Sequence, residues 1–111
     1  MNPNDFQKIV HASLWFGDKI VLSQRLKEGY HKGFWSDAGG KVENNESLIR
    51  AIRRETYEET GFRIFENDFK FVDCFIYEKR QLKTYLFEVE VDYMWYPKAG
   101  FLVCFASNRS D

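Results

Sequence analysis

The chain has 111 residues, of which 44% are hydrophobic, 18% aromatic and 30% charged, a composition that fits one folded domain and excludes a disordered, repetitive or fibrous protein. Sixteen Lys and Arg against seventeen Asp and Glu leave a net charge of −1, so the broad basic field of a duplex-binding protein is missing, although a local basic cluster for a small anion is not excluded. The longest purely apolar stretch, Phe101 to Ala106, is far too short to cross a bilayer, and Met1 to Phe6 lacks the basic-then-apolar pattern of a secretion signal.

A single domain over residues 1–111 is therefore expected, in the cytoplasm and off the membrane. Cys74 and Cys104 have no partner at CxxC spacing, which argues against zinc and for reduced thiols.

In chain order, Lys8 to Phe16 and Lys19 to Leu26 read as two strands around a tight turn at Gly17-Asp18, because β-branched and aromatic residues fill both flanks. From Lys27 to Asn45 the glycines Gly29, Gly33, Gly39 and Gly40 interrupt any period, so a long loop is expected, with a short extended piece near Trp35. Ser47 can cap a helix over Leu48 to Thr60, whose apolar positions Leu48, Ala51 and Ile52 recur at helical spacing. Gly61 stands where such a helix wants a left-handed residue. Strands are then expected at Phe62 to Phe65, Phe69 to Glu78 and Thr84 to Asp92, with a polar turn from Lys79 to Lys83. Pro97 and Gly100 break up the last stretch, and Phe101 to Ala106 reads either as a buried strand or as the start of a helix. The fold class is α+β, one helix between two groups of strands.

The helix carries the chemistry. At a 100° step the face of Leu48, Ala51 and Ile52 continues into Glu55, Glu58 and Glu59. Two carboxylates about 4 Å apart repel by about 1 kcal/mol in water and about 4 kcal/mol at the effective dielectric of a protein surface. Arg53 and Arg54 can offset part of this, but a hard divalent ion matches carboxylate oxygens better. Taken alone, a Glu-rich helix is more often a solvated face.

The loop before the helix changes that weighting. Gly40, five residues, Glu46, seven residues, Arg54-Glu55, two residues, Glu58-Glu59, one residue and Gly61 resembles the Nudix box, the signature of the Nudix hydrolases. All seven fixed identities stand at the family spacing, a match expected by chance on the order of once in a million such chains at average residue usage. Thr56 occupies a place where the family usually has an aliphatic residue, and Ala38 one where many members have Pro. Gly33-Phe34-Trp35 and Gly39-Gly40-Lys41-Val42 are similar to stretches in members that act on oxidised purine nucleoside triphosphates.

The resemblance implies a mixed β-sheet sandwiched by helices, the C-terminal helix being short or missing in this chain. It implies hydrolysis of a pyrophosphate bond in a nucleoside diphosphate derivative, foremost a nucleoside triphosphate, with Mg²⁺ or alternatively Mn²⁺. Glu55, Glu58 and Glu59 would hold the ion with a backbone carbonyl of Gly39 or Gly40. Arg54 would hold a neighbouring glutamate in place, Glu46 would brace the loop by pairing with a helix Arg, and Gly61 would end the helix. The general base would be Glu55 or an acid outside the box, for which Asp92 is only a position. Arg25, Lys41 and Trp35 would contact the substrate, whereas His11 and His31, lacking a partner pattern, read as structural or surface residues. A nucleotide sugar or dinucleoside polyphosphate as substrate, or a module that binds nucleotide without cleaving it, are the competing readings; monomer and homodimer both remain open.

Overall fold

The computed structural model describes residues 2–24 and 33–92, and the backbone of Val103–Asn108. Its elements are β1 (Gln7–Phe16), β2 (Lys19–Gln24), β3 (Trp35–Ser36), β4 (Ala38–Lys41), α1 (Leu48–Thr60), β5 (Lys70–Tyr77), β6 (Leu82–Glu90) and β7 (Val103–Asn108), with single 3-10 turns at Pro3–Asp5, Glu66–Asp68 and Glu78–Arg80. The strands form one mixed sheet in which β1 lies parallel to β6 and every other pairing is antiparallel.

Alternation along β1 decides which face is covered. Val10, Ala12 and Leu14 are buried, and their β6 neighbours Phe87 and Val89 join them, while Ile9, His11, Ser13 and Trp15 point to the other face and stay half-buried. Ala51 and Ile52 of α1 close the first face together with Phe62 and Ile64. Fully burying a side chain of the Ile52 type stabilises by about 1.5–3 kcal/mol, so α1 is held by its packing rather than by its propensity. Among the described residues α1 is the one α-helix, and it covers one side of the sheet only.

Both ends of α1 follow local chemistry. The Ser47 hydroxyl accepts the Arg50 N–H at 3.2 Å, and Gly61 adopts φ 81° while its N–H donates to the Tyr57 carbonyl at 2.9 Å.

Three expectations need correction. Phe62 to Phe65 is not a strand: Phe62 and Ile64 are buried in the core without any ladder partner, so their alternation reports packing and not pairing. The stretch from Lys27 to Asn45 is not all loop, because Ala38–Lys41 forms β4 against β1, with His11 opposite Gly39 and Val10 opposite Gly40. The buried stripe of α1 runs on from Ile52 to Thr56 and Thr60, so the glutamates flank the core face and do not continue it. Phe101 to Ala106, left open between strand and helix, falls largely within β7, which pairs with β2. The end of the second expected strand, Arg25-Leu26, lies outside the described residues.

Candidate metal centre

Glycine at two successive positions of β4 lets that strand enter a crowded corner. A Cβ on Gly39 would lie 2.5 Å from the His11 ring and 2.5 Å from the Val10 carbonyl oxygen, and one on Gly40 would lie 2.5 Å from the Glu55 carboxyl group. Residues that normally weaken a strand are required here, because neighbours already fill the space of a side chain.

Arg54 ties the loop to the helix. Its Nε and Nη2 donate to the two Glu46 oxygens at 2.8 and 3.0 Å, its Nη1 to Glu55 at 2.7 Å, and its Nη2 also to the Lys41 carbonyl at 3.0 Å. Glu43 and Glu58 approach it more loosely, at 3.3 and 3.4 Å. The Glu46 hydrogen bond raises the Arg54 pKa further above its usual value, and the same bond lowers the Glu46 carboxyl. Glu46 also accepts the Glu43 N–H at 3.0 Å, which closes the turn ahead of α1.

The three helix glutamates have different surroundings. The Glu55 side chain is 15% exposed, and burial pushes its pKa up against the pull of Arg54. Glu59 accepts the Gly39 N–H at 2.8 Å from a half-buried position, and Glu58 is exposed. As they stand, no three acidic or His side chains among the described residues converge on one point as a metal ion would hold them.

The donor set nevertheless fits a hard divalent ion. Carboxylate oxygens at positions i, i+3 and i+4 of one helix meet a glycine corner whose backbone comes close to Glu55 and Glu59. The desolvated Glu55 carboxyl gains from a nearby cation.

One pair at this corner escaped the sequence reading. His11 Nδ1 lies 3.0 Å from Asp37 Oδ1, and the Asp37 hydrogen bond raises the His11 pKa, with smaller contributions from Asp37, Glu59 and Glu55 charges. The two residues are 26 apart in the chain and meet only through the β1–β4 pairing. A strand assignment for the double glycine was the one signal that would have revealed them.

Of the remaining expected contact residues, Lys41 is exposed beside the corner, Trp35 is 41% exposed in β3, and Arg25 lies outside the described residues. Gly61 caps the helix end and stands apart from the carboxylates' chemistry.

Comparison with known proteins agrees with this architecture. The NUDIX domain model matches residues 7–100, and the chain belongs to the Nudix family. It is 34% identical over 89 residues to an 8-oxo-dGTP diphosphatase of Buchnera aphidicola subsp. Schizaphis graminum, covering 77% of this chain and 65% of that one. It is 43% identical over 54 residues to the CTP pyrophosphohydrolase of Escherichia coli, covering 49% of this chain and 40% of the relative. The chain thus spans less than two thirds of the length of either. Among solved structures, a MutT/nudix family protein from Enterococcus faecalis superposes with a TM-score of 0.76 at 22% identity, over 91% of this chain and 43% of that one. No helix of the described residues is long and apolar enough to cross a membrane.

Proposed function

We propose that the chain hydrolyses the pyrophosphate bond of a nucleoside triphosphate, giving a nucleoside monophosphate and pyrophosphate, with Mg²⁺ at the corner of β4 and α1. The observation that carries this reading is the join between loop and helix: Glu59 bound to the Gly39 N–H and Glu55 pressed against Gly40, with Arg54 linking Glu55 to Glu46. Relatives named for 8-oxo-dGTP and CTP support a triphosphate over other diphosphates.

On this reading Glu55, Glu58 and Glu59, with a carbonyl of Gly39 or Gly40, hold the ion. A divalent ion there supplies positive charge to the diphosphate oxygens and makes water a better nucleophile. Arg54 and Glu46 keep Glu55 in place, and Glu55 or an acid outside this corner takes the proton from the attacking water. Lys41 and Arg25 meet the phosphates, and Trp35 stacks on the base. The same reading puts the protein in the cytoplasm, where a free thiol such as Cys74 stays reduced.

The test is a panel of nucleoside triphosphates, nucleotide sugars and dinucleoside polyphosphates incubated with Mg²⁺ and read by product mass. Pyrophosphate release from a triphosphate, lost in Glu59→Gln with the thermal midpoint retained, is the expected result. Turnover of Glu59→Gln near the parent level would overturn the assignment of that residue. Nucleotide binding without any product at long incubation would overturn catalysis itself.

A further inference from the structure

On the outer side of α1, Arg50, Arg53, Arg54 and Tyr57 follow one another at i, i+3, i+4 and i+7, and with Arg63 and Glu66 of the next segment they line an open groove of about 400 Å³. The cations in it are unevenly matched. Arg54 spends its charge on Glu46 and Glu55, whereas the ion pairs among the described residues leave Arg50, Arg53 and Arg63 without a carboxylate partner.

Two of those three are nevertheless fixed by neutral groups. Arg53 Nε donates to the Ile64 carbonyl at 2.9 Å. Arg63 lies 4.4 Å over the Tyr57 ring and donates to the Tyr57 hydroxyl at 3.1 Å. Neutral partners set the direction of a guanidinium without cancelling its charge, so the groove gathers oriented positive charge in a chain whose net charge is −1. Glu66 is the one acid in the lining.

We propose that this groove is a binding site for a small, multiply phosphorylated anion, separate from the metal centre and independent of whether the chain is a hydrolase. Guanidinium groups bind phosphate oxygens in pairs of parallel hydrogen bonds, and such bonds are about twice as strong as neutral ones. Arg50, Arg53 and Arg63 present that chemistry from two walls. Arg54 stands between the groove and the metal centre, its donors already engaged by Glu46, Glu55 and the Lys41 carbonyl.

Calorimetric titration of the full chain with inorganic pyrophosphate, in EDTA and at low salt, tests the site without divalent ions. Saturable one-to-one binding is expected, weakened at least tenfold by Arg50→Gln and by Arg63→Gln and unchanged by Lys83→Gln, which removes equal charge from β6, outside the groove. A nucleoside triphosphate should compete; tighter binding than pyrophosphate would assign the site to nucleotides, and equal binding to the inorganic anion. No heat at millimolar pyrophosphate, unaltered binding in both arginine variants, or equal weakening by Lys83→Gln would each overturn the proposal.

Discussion

A β-carbon on Gly40 would stand 2.5 Å from the carboxyl carbon of Glu55, closer than side-chain atoms pack. Gly40→Ala therefore must displace either the carboxylate or β4. The obstacle is the end of a flexible side chain, so the carboxylate moves first. Metal-dependent turnover is expected to fall at least a hundredfold, with a stability loss of about 1–3 kcal/mol from overpacking. Gly39→Ala meets the Val10 backbone carbonyl as well as His11 and should destabilise more. Thermal midpoints of the two variants give the check, and a smaller loss for Gly39→Ala would contradict the geometry.

Arg54→Lys tests whether a fork is needed where a point charge would stand. One ammonium cannot reproduce the paired bonds to Glu46 together with those to Glu55 and the Lys41 carbonyl. A loss of about 1.5–3 kcal/mol is expected from charged hydrogen bonds left unmade. Because Arg54 depresses the Glu46 pKa, the Glu46 contribution is present above its unfolded value and disappears as pH falls through the folded one. Denaturant midpoints of parent and Glu46→Gln should thus differ at pH 7 and converge in acid; a constant gap would refute the pairing.

What could be read from the chain alone was what depends on neighbouring residues. Ser47 and Gly61 mark α1 to the residue because caps act locally, and Gly17-Asp18 marks the turn between β1 and β2. The order of Gly40, Glu46, Arg54 and the three glutamates singled out the corner of β4 and α1 for the same reason. The rest depended on partners distant in sequence. Gly39 and Gly40 look like loop until the groups occupying their side-chain space are known, and His11 looks solitary until β4 brings Asp37 to it. Phe62 and Ile64 alternate like a strand while packing in the core without a ladder partner.

Thr56 is fully buried, and its hydroxyl has no hydrogen-bond partner among the described residues. One turn on, the Thr60 hydroxyl donates to the Thr56 carbonyl at 2.6 Å and accepts the Phe62 N–H. The first threonine therefore bears a desolvation cost that the second does not. Replacing it with Val keeps the shape and removes the unmet group, so Thr56→Val should stabilise by about 1 kcal/mol. That corresponds to a rise in the thermal midpoint of about 4 °C or more for a domain of this size. A fall in the midpoint would mean that the hydroxyl has a partner in solution.

His11 and Asp37 supply the dependence on the alkaline side. The Asp37 hydrogen bond raises the folded pKa of His11 above the unfolded value of about 6.5. A raised pKa adds stability that is complete below the unfolded value and is lost as pH climbs through the folded one. Both side chains are partly exposed, 40% and 30%, so solvent screening holds the effect to about 1 kcal/mol or less. Asp37→Asn keeps an oxygen able to accept from Nδ1 and removes the charge. In metal-free protein, parent and Asp37→Asn should therefore differ most in urea midpoint near pH 6 and approach each other by pH 8. If the difference stayed flat or widened with rising pH, the pair would not be the ionic one that the β1–β4 register brings together.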